Sequence, residues 1–171
     1  EFIQKAGIPM AMIGILLALP GTQLYRRLEK EGRILHETCG NNTNTFDINF
    51  IPVMEKDKII EGYRKVLKTL YTPENYFKRS LILISRIPER VYKKRPLRSN
   101  DIKAFINSFI TICFSRYCFS YLRFLVKALY KNPRNFPLAV IVSINGYHFF
   151  KITRETIIYS QKVQAISKRS K

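Results

Sequence analysis

A single run constrains this chain more than any other feature: Ile8-Pro9-Met10-Ala11-Met12-Ile13-Gly14-Ile15-Leu16-Leu17-Ala18-Leu19 carries no charge and no 3.6-residue periodicity. Such a run suits a strand buried on both faces, as in a parallel sheet or barrel. Pro20-Gly21 ends it, and Thr22 is placed to cap a helix from about Gln23 to Glu31, with Gly32 to terminate it. One β-α unit cannot close its own sheet, so this opening needs neighbours that these residues do not supply. The run is also short of the roughly 20 residues needed to span a bilayer and lacks the basic leader of a signal peptide. The chain opens on Glu1-Phe2-Ile3 in mid-pattern and without an initiator Met, which reads as the interior of something longer.

The rest is helical in pattern. After a polar, turn-rich stretch around Gly40-Asn41-Asn42-Thr43-Asn44-Thr45, Phe46, Ile48, Phe50 and Ile51 read as an extended strip. Ile59, Ile60, Tyr63, Val66, Leu67 and Leu70 then form the apolar stripe of a helix from about Glu55 to Tyr71. Thr72-Pro73 starts a second helix that stops near Ile87, since Pro suits the first helical position. A basic connector with Arg90, Lys93, Lys94, Arg95 and Arg98 leads to a long helix from about Asp101 to Lys131, and a fourth covers Leu138 to about Phe150 or beyond. The expected architecture is mainly α, with one β-α unit followed by a helical module.

Charge and cysteine usage narrow the function classes. Of 171 residues, 30 are Lys or Arg and 12 are Asp or Glu, a net charge of +18. That balance speaks to acidic partners and not to fold. Because 46% of the residues are hydrophobic, the chain can bury a core. Cys39, Cys113 and Cys118 are too few and too scattered for a disulfide framework, which implies a reduced, cytoplasmic setting. In the long helix, Lys103, Arg116, Arg123 and Lys127 interrupt the apolar sequence. They favour a buried core helix over a membrane span and leave open a peripheral contact with anionic head groups. Nucleic acid is not the expected partner, because no helix-turn-helix, zinc-finger or RNA-recognition signature accompanies the basic connector. No Gly-x-Ser-x-Gly, His-Glu-x-x-His or phosphate-cradling Gly-rich loop is present, so no catalytic or metal-binding residue is assigned. His36 and His148 read as surface or core histidines, and Cys113 and Cys118 as structural thiols.

Several motifs, in order, carry a family resemblance: Ala6-Gly7-Ile8-Pro9, Leu17-Ala18-Leu19-Pro20-Gly21-Thr22-Gln23-Leu24-Tyr25, Leu28-Glu29-Lys30-Glu31-Gly32-Arg33, Gly40-Asn41-Asn42-Thr43, Asn49-Phe50-Ile51-Pro52, Glu61-Gly62-Tyr63 and Leu70 to Arg79. Residues 1 to 80 resemble the C-terminal part of radical SAM enzymes with an N-terminal cobalamin-binding domain, in the subgroup that includes the hopanoid methylases. The resemblance implies that residues 1–37 are the last β-α unit of a partial (β/α)6 barrel. It implies that 38–160 are the helical C-terminal domain of unassigned function, DUF4070-like, ahead of a basic tail at 161–171. It further implies that Pro20, Gly21 and Thr22 lie at the rim of a SAM or substrate pocket, and that Asn41, Asn42 and Thr43 form a loop over the barrel mouth.

The parent family uses a [4Fe–4S] cluster, S-adenosylmethionine and cobalamin. Cluster binding there needs C-x3-C-x2-C, which this chain lacks, so no cofactor is expected on these residues. The expected partner is the missing N-terminal part, with its cobalamin domain and radical SAM core. The function expected is that of a C-terminal segment of a B12-dependent radical SAM enzyme of methyltransferase type, inactive alone. The competing expectation is a non-catalytic basic helical module that binds a membrane surface or nucleic acid.

Overall fold

The helix-start signals read from the sequence are used as such in a computed structural model, which describes residues 1–38, 40, 45–88 and 99–169, the last seven by main chain alone. Thr22 is the N-cap of one helix: its hydroxyl oxygen accepts from the Tyr25 amide at 3.2 Å. Thr72 holds the corresponding place before Pro73. In order, the helices are α1 (Phe2–Ala6), α2 (Gln23–Lys30), α3 (Lys56–Leu70), α4 (Pro73–Arg86), α5 (Ser99–Cys113), α6 (Cys118–Lys131) and α7 (Phe136–Arg169), with a 3-10 turn at Pro133–Asn135 before α7. The fold is mainly α, as the periodicity requires. The basic connector between α4 and α5 lies outside the described residues.

Three expectations change. No strand or sheet forms among the described residues; Ile8–Leu19 runs between α1 and α2 without a ladder. A strand exists only through its neighbours' hydrogen bonds, and here side chains take much of that role. Next, the single helix expected over Asp101–Lys131 is two, α5 and α6. Ser115 makes the break: its hydroxyl donates to the Ile112 carbonyl at 2.7 Å and accepts from the Tyr117 amide at 3.2 Å. A serine that bonds nearby backbone competes with the helical ladder. Nor is this pair a buried core helix, since α5 buries only Ile112 and α6 buries one face. The expected fourth helix is α7, which runs on beyond Phe150 to Arg169.

The chain divides into two compact units, each built around its own core. The first comprises Glu1–Ala11 and Leu70–Lys151. Its centre is aromatic: Phe77 stacks on Phe124 with centroids 4.5 Å apart, and Phe150 meets Tyr76 edge-on at 5.3 Å. Asn135 closes the end of α4 by donating to the carbonyls of Ile84 and Ile87 at 3.3 and 3.2 Å, satisfying groups a helix end leaves orphaned. Gly146 is needed for close approach: a Cβ there would fall 2.5 Å from Cε1 of Tyr76. That ring cannot retreat, because its hydroxyl is bonded to the Val142 carbonyl at 2.8 Å. Gly146→Ala is therefore expected to destabilise by about 1–3 kcal/mol through overpacking, despite the roughly 1 kcal/mol that Ala gains over Gly in a helix. Thermal unfolding followed by circular dichroism checks the sign.

The second unit comprises Met12–Thr69 and Ile152–Lys171. Leu28 of α2, Ile60, Tyr63 and Leu67 of α3, and Ile15, Leu17 and Ile48 are buried in it. An antiparallel bridge joins Ile34 to Phe50, with Leu35 N–H donating to Asn49 O at 2.9 Å and Ile51 N–H to Arg33 O at 2.8 Å. Along Met12–Leu17 exposure alternates: Met12 and Leu16 face outward, while Ile15 and Leu17 are buried. That is the period of a strand, present without its sheet.

Candidate functional site

In each unit, motif residues bond to the main chain of that unit's own part of the apolar run, residues 8–11 in the first and 13–18 in the second. In the first unit the agent is Arg79, on the inner face of α4 and 0% exposed. Its Nε donates to the Ile8 carbonyl at 2.9 Å, its Nη2 to the Pro9 carbonyl at 2.9 Å, and its Nη1 to the Leu70 carbonyl. The guanidinium carbon also lies 4.9 Å from the Tyr76 ring centre and 5.6 Å from that of Tyr71. This buried cation is met by carbonyl oxygens and ring faces. A guanidinium suits the task because its planar fork serves several acceptors at once. Beside it, Tyr71 pairs with Ala11 in both directions: its hydroxyl donates to the Ala11 carbonyl and accepts from the Ala11 amide.

In the second unit, Tyr63 on α3 donates its hydroxyl to the Ile13 carbonyl at 2.9 Å. Asn49, 0% exposed, takes both backbone groups of Ala18. Its Oδ1 accepts from Ala18 N–H at 2.9 Å, and its Nδ2 donates to Ala18 C=O at 2.8 Å and to His36 C=O at 3.3 Å. The side-chain amide thus occupies the place a neighbouring peptide would hold in a sheet.

Burial acts on the titratable members. It lowers the Arg79 pKa, against the opposing pull of Tyr71 and Tyr76. It raises Tyr76 well above the usual phenol value, with Arg79 opposing, and raises Tyr71 against the bond to Ala11 and the charge of Arg79. A tyrosine whose folded pKa is raised binds its proton more tightly folded than unfolded. The associated stability is intact below about pH 10 and is lost as pH climbs toward the folded values. Stability is therefore expected to fall above about pH 10, by up to about 1.4 kcal/mol per pH unit for each such tyrosine. Tyr76→Phe should flatten that slope in urea unfolding measured across the alkaline range.

Pro20, Gly21 and Thr22 form the exposed turn into α2, with Gly21 at φ 83° and the Thr22 hydroxyl donating to the Leu19 carbonyl at 2.7 Å. Gly40 lies against the Leu19 side chain, at the threshold of Asn41, Asn42 and Thr43, which lie outside the described residues. Among the described residues no three His, Cys, Asp or Glu side chains gather as metal ligands, and Cys113 and Cys118 flank the α5–α6 turn. Cys113 and Cys118, with four residues between them, do not have the C-x3-C-x2-C spacing of a cluster site. No helix among the described residues is long and apolar enough to cross a membrane. Sequence reasoning named Arg79, Asn49, Tyr63 and Tyr71 as parts of motifs and gave them no role. The signal was phase: Arg79 shares a helix face with Tyr76 and Ser80, the side that faces the core.

The sequence has counterparts among known proteins. Over 80 residues, 47% of this chain and 15% of the relative, the sequence is 37% identical to the uncharacterized methyltransferase sll1242 of Synechocystis sp.. Over 79 residues, 46% of this chain and 14% of the relative, it is 30% identical to the hopanoid C-2 methylase of Rhodopseudomonas palustris. The matched stretch is thus about a seventh of the length of each of these curated relatives. No solved structure matches. The family model of DUF4070, a domain of unknown function, matches residues 22–162. These matches bear out the resemblance carried by the motifs, and the chain belongs to the DUF4070 family.

Proposed function

We propose that this chain is the C-terminal segment of a B12-dependent radical SAM enzyme of methyltransferase type, and that its helical domain holds the last β-α unit of the barrel in place. One observation supports this reading above the rest: Arg79, Tyr71, Tyr63 and Asn49, each inside a family motif, all bond to the main chain of residues 8 to 18. The domain then works by positioning. It fixes the strand-like run so that the Pro20-Gly21-Thr22 turn stands at the pocket rim. That rim is where barrel enzymes keep their active sites. The iron–sulfur cluster, S-adenosylmethionine and cobalamin belong to the N-terminal part of the parent, since the cysteines here do not fit the cluster. No step of the chemistry is assigned to these residues.

The test is an affinity pull-down of this chain from its native cells, with the recovered partner assayed for iron, sulfide and corrinoid. Recovery of a partner that holds all three is the expected result. A folded, monomeric chain that recovers none overturns the reading.

A further inference from the structure

Helix α6 divides its circumference into three sectors. Tyr121, Phe124, Leu125 and Ala128 are buried in the core of the first unit. Phe119, Leu122, Val126 and Leu129, at spacings of three and four, form a second stripe, and it is exposed: Phe119 by 78% and Val126 by 68%. Beside that stripe run Arg123, Lys127 and Lys131, one turn apart and all exposed. At the two ends stand Phe114, 90% exposed, and Tyr130, 92% exposed. No Asp or Glu occurs from Ile102 to Arg154, whereas Lys103, Arg116, Arg134, Lys151 and Arg154 add to the positive charge.

A contiguous exposed apolar patch beside charges of one sign marks an interaction surface. We infer that this face of α6 docks on an anionic lipid surface, the apolar stripe entering the head-group boundary while Arg123, Lys127 and Lys131 meet lipid phosphates. Three features select lipid over other acidic partners. The stripe is aliphatic at Leu122, Val126 and Leu129, which gives bases little to stack on, whereas nucleic-acid binding rests on aromatic platforms. The cations flank the stripe as snorkelling side chains do at a bilayer boundary. Exposed aromatic rings, Phe114 and Tyr130, accompany the stripe, and amphipathic rings favour the head-group level. The inference is independent of the methyltransferase reading and needs no partner enzyme.

The chain contains no Trp, so Phe119→Trp introduces a single fluorescent reporter. With vesicles of roughly equimolar phosphatidylglycerol and phosphatidylcholine, the chain is expected to co-sediment, and the Trp emission to shift blue and be quenched by brominated acyl chains. Phosphatidylcholine alone should bind weakly, and salt should weaken the anionic case. Arg123→Gln with Lys127→Gln should lower vesicle affinity roughly 30-fold with unchanged helical circular dichroism. Failure to sediment with anionic vesicles, as for a face covered by another protein, overturns the inference. So does sedimentation without blue shift or quenching, which is charge contact alone, or unchanged affinity in the Gln variant.

Discussion

Arg79→Met is expected to remove about 3–5 kcal/mol of unfolding free energy, a large part of the 5–15 kcal/mol typical of a domain. Met approximates the length and volume of the side chain, so little cavity opens. What goes is the set of donors to the carbonyls of Ile8, Pro9 and Leu70. A buried acceptor left unpaired costs about 1–3 kcal/mol, and relief of the desolvated charge offsets part of the sum. Arg79→Lys should recover less than half, because an ammonium is a point charge that cannot fork between separate carbonyls. Urea unfolding at unchanged m-value measures both variants. A loss below about 1 kcal/mol for Arg79→Met would mean that the ring faces and helix packing hold the segment without the guanidinium.

Asn49→Leu is expected to cost about 3–4 kcal/mol, for a related reason in the other compact unit. Leu nearly matches the amide in shape but leaves Ala18 N–H, Ala18 C=O and His36 C=O without the partner they now share. Asn49→Asp should do no better, since a carboxylate accepts from Ala18 N–H yet sets negative oxygen against two carbonyls. The site-specific readout is amide hydrogen exchange at Ala18, whose protection should collapse in both variants. Retained protection at Ala18 would refute the pairing described here.

These two residues also mark where the sequence stopped being legible. Helices α3 and α4 could be read because apolar residues recur at helical spacing and Thr72-Pro73 punctuates them. The break between α5 and α6 could not: Phe114-Ser115-Arg116-Tyr117 holds neither Gly nor Pro, and one serine hydroxyl redirects the chain through local bonds. Nor was the role of Gly146 legible, since its close approach to Tyr76 is a contact between two helices distant in sequence. Ile8–Leu19 has strand composition, but a ladder depends on neighbours that no local pattern encodes. Of the candidate site, the turn at Pro20–Thr22 was legible from its caps. The bonds of Arg79 to Ile8 and Pro9 and of Asn49 to Ala18 were not, because each depends on packing within its own unit and not on local sequence.

The bonds to that stretch span 71 residues from Arg79 to Ile8, 50 from Tyr63 to Ile13 and 31 from Asn49 to Ala18. On a ribosome adding 5–20 residues per second, the interval between making Ile8 and making Arg79 is roughly 4 to 14 s. During that interval the most apolar stretch of the chain exists without the cation that later pins its first residues. Its safe passage is a matter of timing as much as of affinity, and slow synthesis across residues 20 to 79 would lengthen the window in which it can stick to another nascent chain.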